Sequence, residues 1–120
     1  MADPLLQTFQ LKNLHLKNRI ITTSHEPAYN EGGFPKDRYI AYHLERARGG
    51  IAMTMTAGSA VVSKDSPPSF NNIHAYKDEV VPWIKKLTDT IHDQDCKIMI
   101  QLTHLGRRTS WSKGDWLPSL

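Results

Sequence analysis

Residues 36–58, KDRYIAYHLERARGGIAMTMTAG, decide the fold because they read as a helix, a stop and a buried strand in succession. Ile40, Leu44 and Ala47 recur at helical spacing over residues 36–48, and two glycines then end the pattern. The rest of the stretch, IAMTMTAG, is apolar without clean alternation, which is typical of a strand covered on both faces.

The residues before this stretch predict two further elements. Residues 9–16 alternate apolar and polar side chains around Lys12 and Asn13, which indicates a short two-stranded hairpin. Residues 19–24 are rich in β-branched side chains and too short for a helix, so we predict a buried strand there, followed by a loop over 27–35.

The residues after it predict the same alternation again. Residues 62–76 contain Ser, Pro and Asn and read as a long loop, and residues 78–93 carry one apolar stripe with Pro82 in the first turn, which predicts a helix. Residues 97–103 then read as another buried strand. The order hairpin, β, α, β, α, β predicts an α/β fold with parallel strands joined by helical crossovers.

Three parallel strands and two helices leave a sheet edge and an apolar surface uncovered. A closed (β/α)8 TIM barrel contains eight such units over about 250 residues, so we predict that residues 1–120 form the N-terminal portion of a barrel domain. The remaining strands would lie on residues outside this sequence, in the same chain or in another one.

Composition excludes several classes of function. The 120 residues carry a formal charge of +3 with the charged side chains scattered, so nucleic acid is not the expected partner. No apolar run is long enough to span a bilayer, and the start of the chain lacks the features of a signal peptide, so we expect a cytoplasmic protein that does not bind membranes. Cys96 is the single cysteine, which excludes an internal disulfide, an iron–sulfur site and a Cys-rich zinc site within these residues.

In parallel α/β folds, the functional site lies at the carboxyl ends of the strands. The candidates at those ends are Thr23, Ser24, His25, Glu26, Ala57, Gly58, Ser59, Gln101, Thr103, His104, Arg107 and Arg108. Arg19 and Cys96 lie at the opposite ends, and we assign them to structure. Neither a GxGxxG element nor a Walker A loop is present, which leaves a mononucleotide cofactor or a metal.

Metal is the weaker of these two alternatives. His25, Glu26 and His104 are the available ligands, but they lie on different loops and do not form an HExxH motif. Gln101 is more informative, because an amide on an apolar buried strand must have both its donor and its acceptor satisfied. Its partner is either a neighbouring backbone or a flat ligand that presents both an N–H and a C=O.

Three motifs in order bear on this choice: FQLKNLHLKNRI at residues 9–20, ARGGIA at 47–52 and IQLTHLGRR at 100–108. Together they resemble the flavin oxidoreductases related to old yellow enzyme, over nearly the full length of the sequence. The resemblance implies a TIM barrel with FMN at its C-terminal mouth.

Site residues follow from the resemblance position by position. Thr23, Ser24 and His25 match the segment that runs alongside the flavin ring, and Gly58 matches a small residue after the second strand. Gln101 matches the glutamine that hydrogen-bonds the flavin pyrimidine edge. Arg107 matches the arginine of the third-strand motif. We assign Glu26 and His25 to catalysis and Glu26, His104 and Arg107 to substrate contacts, with no proton transfer at His104.

Within the family, the sequence is most similar to the branch that includes 2,4-dienoyl-CoA reductase, trimethylamine dehydrogenase and the demethylases of dimethylglycine and N-methylproline. That branch implies a 4Fe-4S cluster and FAD only for a longer chain. Glu26 stands where trimethylamine dehydrogenase has the cysteine that bonds FMN, so the flavin should be noncovalent here. Glu26 either places negative charge beside a cationic substrate or pairs with Arg107 or Arg108.

Three functional hypotheses remain open from the sequence. The first is an FMN-dependent oxidoreductase that demethylates a methylated amine or amino acid by hydride transfer to flavin N5. The second is an alkene reductase of the enoate or dienoyl-CoA type that uses NAD(P)H. The third is an inactive fragment or subunit that needs the rest of the barrel. The complete enzyme is expected to act on a small molecule and to form a homo-oligomer.

Overall fold

A computed structural model describes residues 3–56, 60–66 and 70–106 of the chain. These residues contain a hairpin, two α-helices and several short strands. The elements are β1 Phe9–Leu11, β2 Leu14–Leu16, α1 Asp37–Arg48, β3 Met53–Met55, β4 Ala60–Val61, β5 Ile73–His74, α2 Val81–His92, β6 Lys97–Met99 and β7 Leu102–Thr103. Short 3-10 helices precede β1 and α2, at Pro4–Leu6 and Asp78–Val80.

The predicted hairpin is confirmed. Strands β1 and β2 pair in antiparallel orientation with Phe9 opposite Leu16. Leu16 packs with Ala52 and Met53, and Leu14 lies against the same cluster. The hairpin therefore covers the amino end of β3.

The first predicted strand, residues 19–24, is extended but is neither a regular strand nor buried. It runs parallel to β3 through hydrogen bonds from the Ala52 N–H to the Ile20 carbonyl and from the Thr22 N–H to the Met53 carbonyl. A single parallel bridge joins Ile21 to Met53. Ile21 is 43% exposed because no described residue covers that face of the segment, so the expectation of a buried strand is wrong.

Helix α1 has the predicted position and the predicted end. Its buried face carries an aromatic ring and an imidazole as well as aliphatic side chains, from Tyr39, Ile40, His43 and Ala47. Gly50 follows the helix with φ of 96°, a conformation that costs other residues free energy. The glycine stop inferred from the sequence is confirmed.

Helix α2 belongs to the connection between two parallel strands, β3 and β6. Strands β3 and β6 pair in parallel with Met53 opposite Lys97, which confirms the predicted crossover arrangement. Pro82 lies in the first turn of α2, and Leu87 and Ile91 form its buried face. These two side chains belong to the same core cluster as the apolar face of α1, so both helices pack on the same side of the sheet.

The last predicted strand is divided, and the loop before α2 contains a strand that the sequence does not indicate. Strand β6 ends at Met99 and β7 begins at Leu102, where β7 pairs with β4. Strand β4 also pairs in parallel with β5, which lies inside the predicted loop over 62–76. Ile73 explains this pairing, because it is 1% exposed and lies opposite the fully buried Ala60.

Burial along the last strand also differs from the prediction. Met99 is 44% exposed and Leu102 is 59% exposed, although the sequence predicts a buried strand. Ile98 packs against the core that the helices form, whereas side chains alternate along a strand and Met99 points to the opposite face. No described residue covers that second face.

Arg19 and Cys96 have structural surroundings. The Arg19 guanidinium lies over the Phe9 ring at 5.6 Å from the ring centroid. Cys96 is a free thiol in the core, and its burial raises the pKa of the thiol. Among the helices of the described residues, none has the length and apolar character needed to cross a membrane.

Candidate active site

The carboxyl ends of the three parallel segments meet at Thr56. Ser24 Oγ donates a hydrogen bond to the Thr56 carbonyl at 2.6 Å, and the Gln101 N–H donates to Thr56 Oγ1 at 3.1 Å. The Thr56 N–H in turn donates to the Met99 carbonyl at 2.8 Å. The residues that follow the first and third segments are thus tied to the same residue of the second, at one edge of the sheet.

Gln101 lies at this edge with its side chain exposed, so the expectation of a buried amide is wrong. Ile98 and Ile100 line a cavity with Leu87 of α2, which places them on the helix-facing side. Position 101 follows the same alternation and falls on the opposite side. Its side-chain amide has no hydrogen-bond partner among the described residues.

Gly58, together with Ala57 and Ser59, lies outside the described residues, so its role beside a flavin stays a prediction. The residues on either side of this gap both bond to position 101. Thr56 accepts from the Gln101 N–H, and the Ala60 N–H donates to the Gln101 carbonyl at 3.0 Å.

Thr23 and His25 are exposed residues of the segment that runs beside β3. The His25 ring stacks on Tyr42 of α1 with 6.4 Å between the ring centroids. Both residues line an open cleft with Ile21, Thr22, Tyr42 and Arg46. The structure therefore brings His25 to helix α1, and no hydrogen bond or ring contact joins it to Gln101 among the described residues.

Glu26 holds one satisfied and one unsatisfied carboxylate oxygen. Its Oε1 accepts a hydrogen bond from the Ala28 N–H at 2.8 Å, whereas Oε2 is buried without a partner. Loss of solvent raises the pKa of the Glu26 carboxyl to about 7, against the lowering effect of the Ala28 hydrogen bond. Its predicted ion-pair partners, Arg107 and Arg108, lie outside the described residues. Among the described residues, none forms an ion pair with Glu26.

His104 is bound to a loop of its own chain. Its Nδ1 accepts a hydrogen bond from the Gly106 N–H at 3.0 Å, and its Nε2 lies 3.2 Å from Asp65 Oδ1. Hydrogen bonds from the Ser63 hydroxyl and from His104 lower the pKa of the Asp65 carboxyl. Both ring nitrogens of His104 are thus engaged within the protein. Arg107, the next predicted substrate contact, lies outside the described residues.

The metal alternative finds no ligand set in the described part of the chain. No group of three or more His, Cys, Asp or Glu side chains there is arranged to hold a metal ion. His104 is turned to Asp65, and the ring of His25 lies against Tyr42.

Several residues that hold the site together are not predicted from the sequence. Thr56 bonds to both flanking segments, and the repeat Met-Thr-Met-Thr over 53–56 was a usable signal, because alternation places both threonines on one face. A second example is the buried chain that runs from Thr22 through Thr54 to His43, with oxygen–oxygen and oxygen–nitrogen distances of 3.0 and 2.8 Å. Asp65 had no signal, since its partner His104 lies 39 residues away.

Comparison with protein families gives a match over almost the whole chain. The model of the NADH:flavin oxidoreductase / NADH oxidase family matches residues 4–115. The chain belongs to this family. The family resemblance inferred from the three sequence motifs is therefore confirmed.

Curated relatives extend this result. The chain is 72% identical over 116 residues to a protein of Rhizobium meliloti (strain 1021) named "Probable N-methylproline demethylase", covering 97% of the chain and 17% of that protein. It is 46% identical over 119 residues to the "Multifunctional alkene reductase/demethylase OYE" of Caballeronia cordobensis, covering 99% and 18%. The "N,N-dimethylglycine/sarcosine dehydrogenase" of Chromohalobacter salexigens is 36% identical, with 95% and 17% covered. The chain thus spans less than a fifth of the length of each of these relatives.

Solved structures show the fold. A 2-naphthoyl-CoA reductase in complex with 2-naphthoyl-CoA matches with a TM-score of 0.80 and 24% identity, covering 87% of the chain and 16% of the reductase. Morphinone reductase in complex with tetrahydroNAD matches with a TM-score of 0.78 and 21% identity, covering 88% and 28%. Both are TIM barrels of the old yellow enzyme type, so the predicted fold class is confirmed.

Proposed function

We propose that the chain is part of an FMN-dependent oxidoreductase that transfers hydride between a substrate carbon and flavin N5. The observation that carries the proposal is the free amide of Gln101 at the carboxyl ends of the strands. A glutamine amide offers an N–H and a C=O side by side, which matches the paired acceptor and donor of a flavin pyrimidine ring.

The described residues fit FMN. The Gln101 side chain is exposed and unpartnered, while its backbone is fixed on both sides by Thr56 and Ala60. Ser24 is fixed by the same Thr56, so the two sides of the proposed flavin site are held at a constant spacing. When bound, FMN supplies N5, which takes hydride from the substrate or returns it.

The remaining flavin contacts are part of the same proposal. Thr23, Ser24 and His25 would run alongside the ring, and Gly58 would leave room for it. The phosphate would be held by the loops that follow the seventh and eighth strands of the complete barrel and by the extra helix there, which are not among residues 1–120. The flavin is noncovalent, since Glu26 offers no sulfur to it.

A methylated amine or amino acid is the proposed substrate class. The relative at 72% identity is named for demethylation, and the buried Oε2 of Glu26 supports a cationic ligand. A half-buried carboxylate without a counterion is stabilised by a cation that reaches it. Glu26 would bind the substrate as its ammonium. Once that ammonium has lost its proton to solvent, the N-methyl group of the neutral amine gives up hydride to the flavin, Glu26 would stabilise the resulting iminium, and added water would release formaldehyde and the demethylated amine.

Alkene reduction is the second candidate. The relative at 46% identity is named for both alkene reductase and demethylase activity. In this case NAD(P)H would be the electron donor, and the substrate would be an activated alkene without a positive charge. Glu26 would then pair with Arg107 or Arg108, and those residues or His104 would contact the substrate.

The rest of the barrel is a required partner in this proposal. Met99 exposes apolar surface on the face away from the helices, and Leu102 is exposed as well, so further elements of the barrel would cover both side chains. These strands would come from the same polypeptide or from another one, and the complete protein would be a cytoplasmic homo-oligomer. A 4Fe-4S cluster and FAD would belong to residues outside these 120.

The test uses the holoenzyme, which here means the purified protein that contains residues 1–120 together with the rest of its barrel. Size measurement and an absorbance spectrum come first, and a yellow assembly with bound FMN is expected. A colourless assembly would contradict the proposed FMN site, whereas a colourless, aggregating monomer of residues 1–120 alone would support an inactive fragment. Formaldehyde release from N-methyl amino acids is then compared with NAD(P)H-dependent reduction of enones. Formaldehyde release supports the first candidate, and enone reduction without any formaldehyde supports the second.

A further inference from the structure

The loop over residues 62–66 forms hydrogen bonds to the end of β7 and to the segment that follows it. The Val62 N–H donates to the Thr103 carbonyl at 3.1 Å, and the Leu105 N–H donates to Ser66 Oγ at 3.0 Å. Ser66 is 2% exposed, so its hydroxyl is a fixed acceptor. Residues 62–66 therefore define the path of the backbone over residues 103–106.

The side chain of His104 completes this connection in a defined tautomer. Since Nδ1 accepts a hydrogen bond from the Gly106 N–H, the proton of the neutral ring is on Nε2. Nε2 then donates to Asp65 Oδ1, which lies 3.2 Å away. A carboxylate at this position stabilises the tautomer that leaves Nδ1 free to accept from the backbone.

The turn that His104 stabilises is a demanding one. Gly106 has φ of 55°, in the left-handed region, and the hydrogen bond from its N–H to the imidazole two residues earlier closes the turn. Without an acceptor at Nδ1, the Gly106 N–H loses its partner within the described residues. The orientation of the imidazole thus determines the local backbone at the carboxyl end of β7.

We infer that Asp65 is a positioning residue of the proposed active site, because it orients His104 and thereby fixes the backbone turn at Gly106. Asp65 does not touch the substrate or the flavin in this proposal. It acts on the end of the segment that also carries Gln101, five residues before Gly106. The inference rests on the proposed function, since a positioning role has meaning only for a site that binds flavin and substrate.

Three variants of the holoenzyme separate this role from general stability. Asp65→Ala removes the acceptor for His104, Asp65→Asn keeps an oxygen acceptor of the same size, and Lys64→Ala changes an exposed neighbour in the same loop. Hydrogen–deuterium exchange of the peptide that contains Leu105 and Gly106 reports the turn directly, without any need for turnover. The ratio of kcat/KM to that of the wild type reports the consequence for the reaction.

For Asp65→Ala we expect exchange of that peptide to be faster by about tenfold and kcat/KM to fall by about tenfold, mainly through KM, with flavin content unchanged. Asp65→Asn should recover most of both losses, and Lys64→Ala should match the wild type. If Asp65→Ala exchanges faster but keeps its kcat/KM, Asp65 is only a structural contact and the inference is overturned. If exchange does not change, Asp65 does not hold the turn and the inference is overturned as well. A wild-type holoenzyme without flavin would contradict the proposed function itself, and the exchange data would still decide whether Asp65 holds the turn.

Discussion

On the helix-facing side of β3, the Thr54 hydroxyl contacts Thr22 Oγ1 at 3.0 Å and His43 Nδ1 at 2.8 Å, whereas on the opposite side the Gln101 amide has no partner among the described residues. Thr54 and His43 are 0% and 1% exposed. The same small sheet therefore carries a buried hydroxyl, Thr54 Oγ1, with two partners inside the protein, and an amide without one. The second ring nitrogen of His43, Nε2, is buried without a partner in the described part of the chain.

This difference separates structural from functional polar groups. The buried Thr54 hydroxyl finds its partners inside the protein, which is favourable because an unsatisfied polar group in the core costs free energy. Desolvation lowers the pKa of His43 to about 4, so the buried ring is neutral near pH 7 and the chain to Thr54 carries no charge. The exposed amide of Gln101 has no such constraint, and a ligand is free to use it.

Gln101→Ala removes the exposed amide and should have the largest effect of the proposed variants. In the holoenzyme, loss of the amide removes a donor and an acceptor from the flavin edge, and the affinity for FMN should fall about 100-fold. Gln10→Ala is the matched control, since Gln10 lies in the hairpin, away from the carboxyl ends of the strands, and within the described part of the chain its side chain bonds only to Lys12 and His15. Flavin titration by fluorescence measures both variants, and equal affinities would show that Gln101 does not bind FMN.

Thr54→Val tests the buried hydrogen bonds that the Thr54 hydroxyl forms with Thr22 and His43. Valine keeps the shape of the side chain but leaves Thr22 and the buried Nδ1 of His43 without their shared partner, so the free energy of unfolding should fall by about 1–2 kcal/mol. Thr90→Val in α2 removes a hydroxyl that bonds to the Lys86 carbonyl at the surface, and it should cost less than about 0.5 kcal/mol. Urea unfolding followed by circular dichroism gives both values. If the two variants are equally stable, the buried chain is not a stabilising feature.

Glu26→Gln tests a group that falls between the two classes, with one oxygen satisfied and the other not. Because the pKa of the Glu26 carboxyl is about 7, its negative charge grows as pH rises from 5.5 to 8.5, and binding of a quaternary ammonium competitor should tighten by about tenfold over that range. The competitor keeps its charge at every pH, so the change reports the protein. Binding to Glu26→Gln should not change with pH. A wild type that binds equally at both limits would favour the ion pair with Arg107 or Arg108.

The raised pKa of the Glu26 carboxyl also predicts how the stability of the protein changes with pH. Its pKa is raised from 4.5 to about 7 by folding, so the folded state holds the proton more tightly than the unfolded state. Its contribution to stability is present below pH 4.5 and is lost as pH rises to about 7. In Glu26→Gln, this part of the pH dependence of the urea midpoint should disappear.

Periodic signals explain why so much of the fold could be predicted. The hairpin alternation, the spacing of Ile40 and Ala47 in α1, and the apolar stripe of α2 each report a local preference that the structure keeps. Strand β5 was missed because two residues have no period to detect. The exposure of Met99 was missed for a different reason, because an apolar side chain carries no information about whether another element covers it.

The site was predictable to the extent that topology determines it. Parallel strands bring their carboxyl ends together, so Ser24 and Gln101 could be placed at one edge before any coordinates. The contacts that give each residue its chemistry depend on long-range pairs, such as Asp65 with His104, and no local pattern reports them. The burial of one Glu26 oxygen likewise depends on the path of a loop that has no periodicity.

A crystal structure of the holoenzyme with FMN tests the central claim most directly. We predict that the Gln101 side-chain amide lies within about 2.7–3.2 Å of the nitrogen and oxygen atoms of the flavin pyrimidine edge. A flavin bound away from the carboxyl ends of β3 and β6, or a Gln101 side chain that contacts only protein atoms, would contradict it.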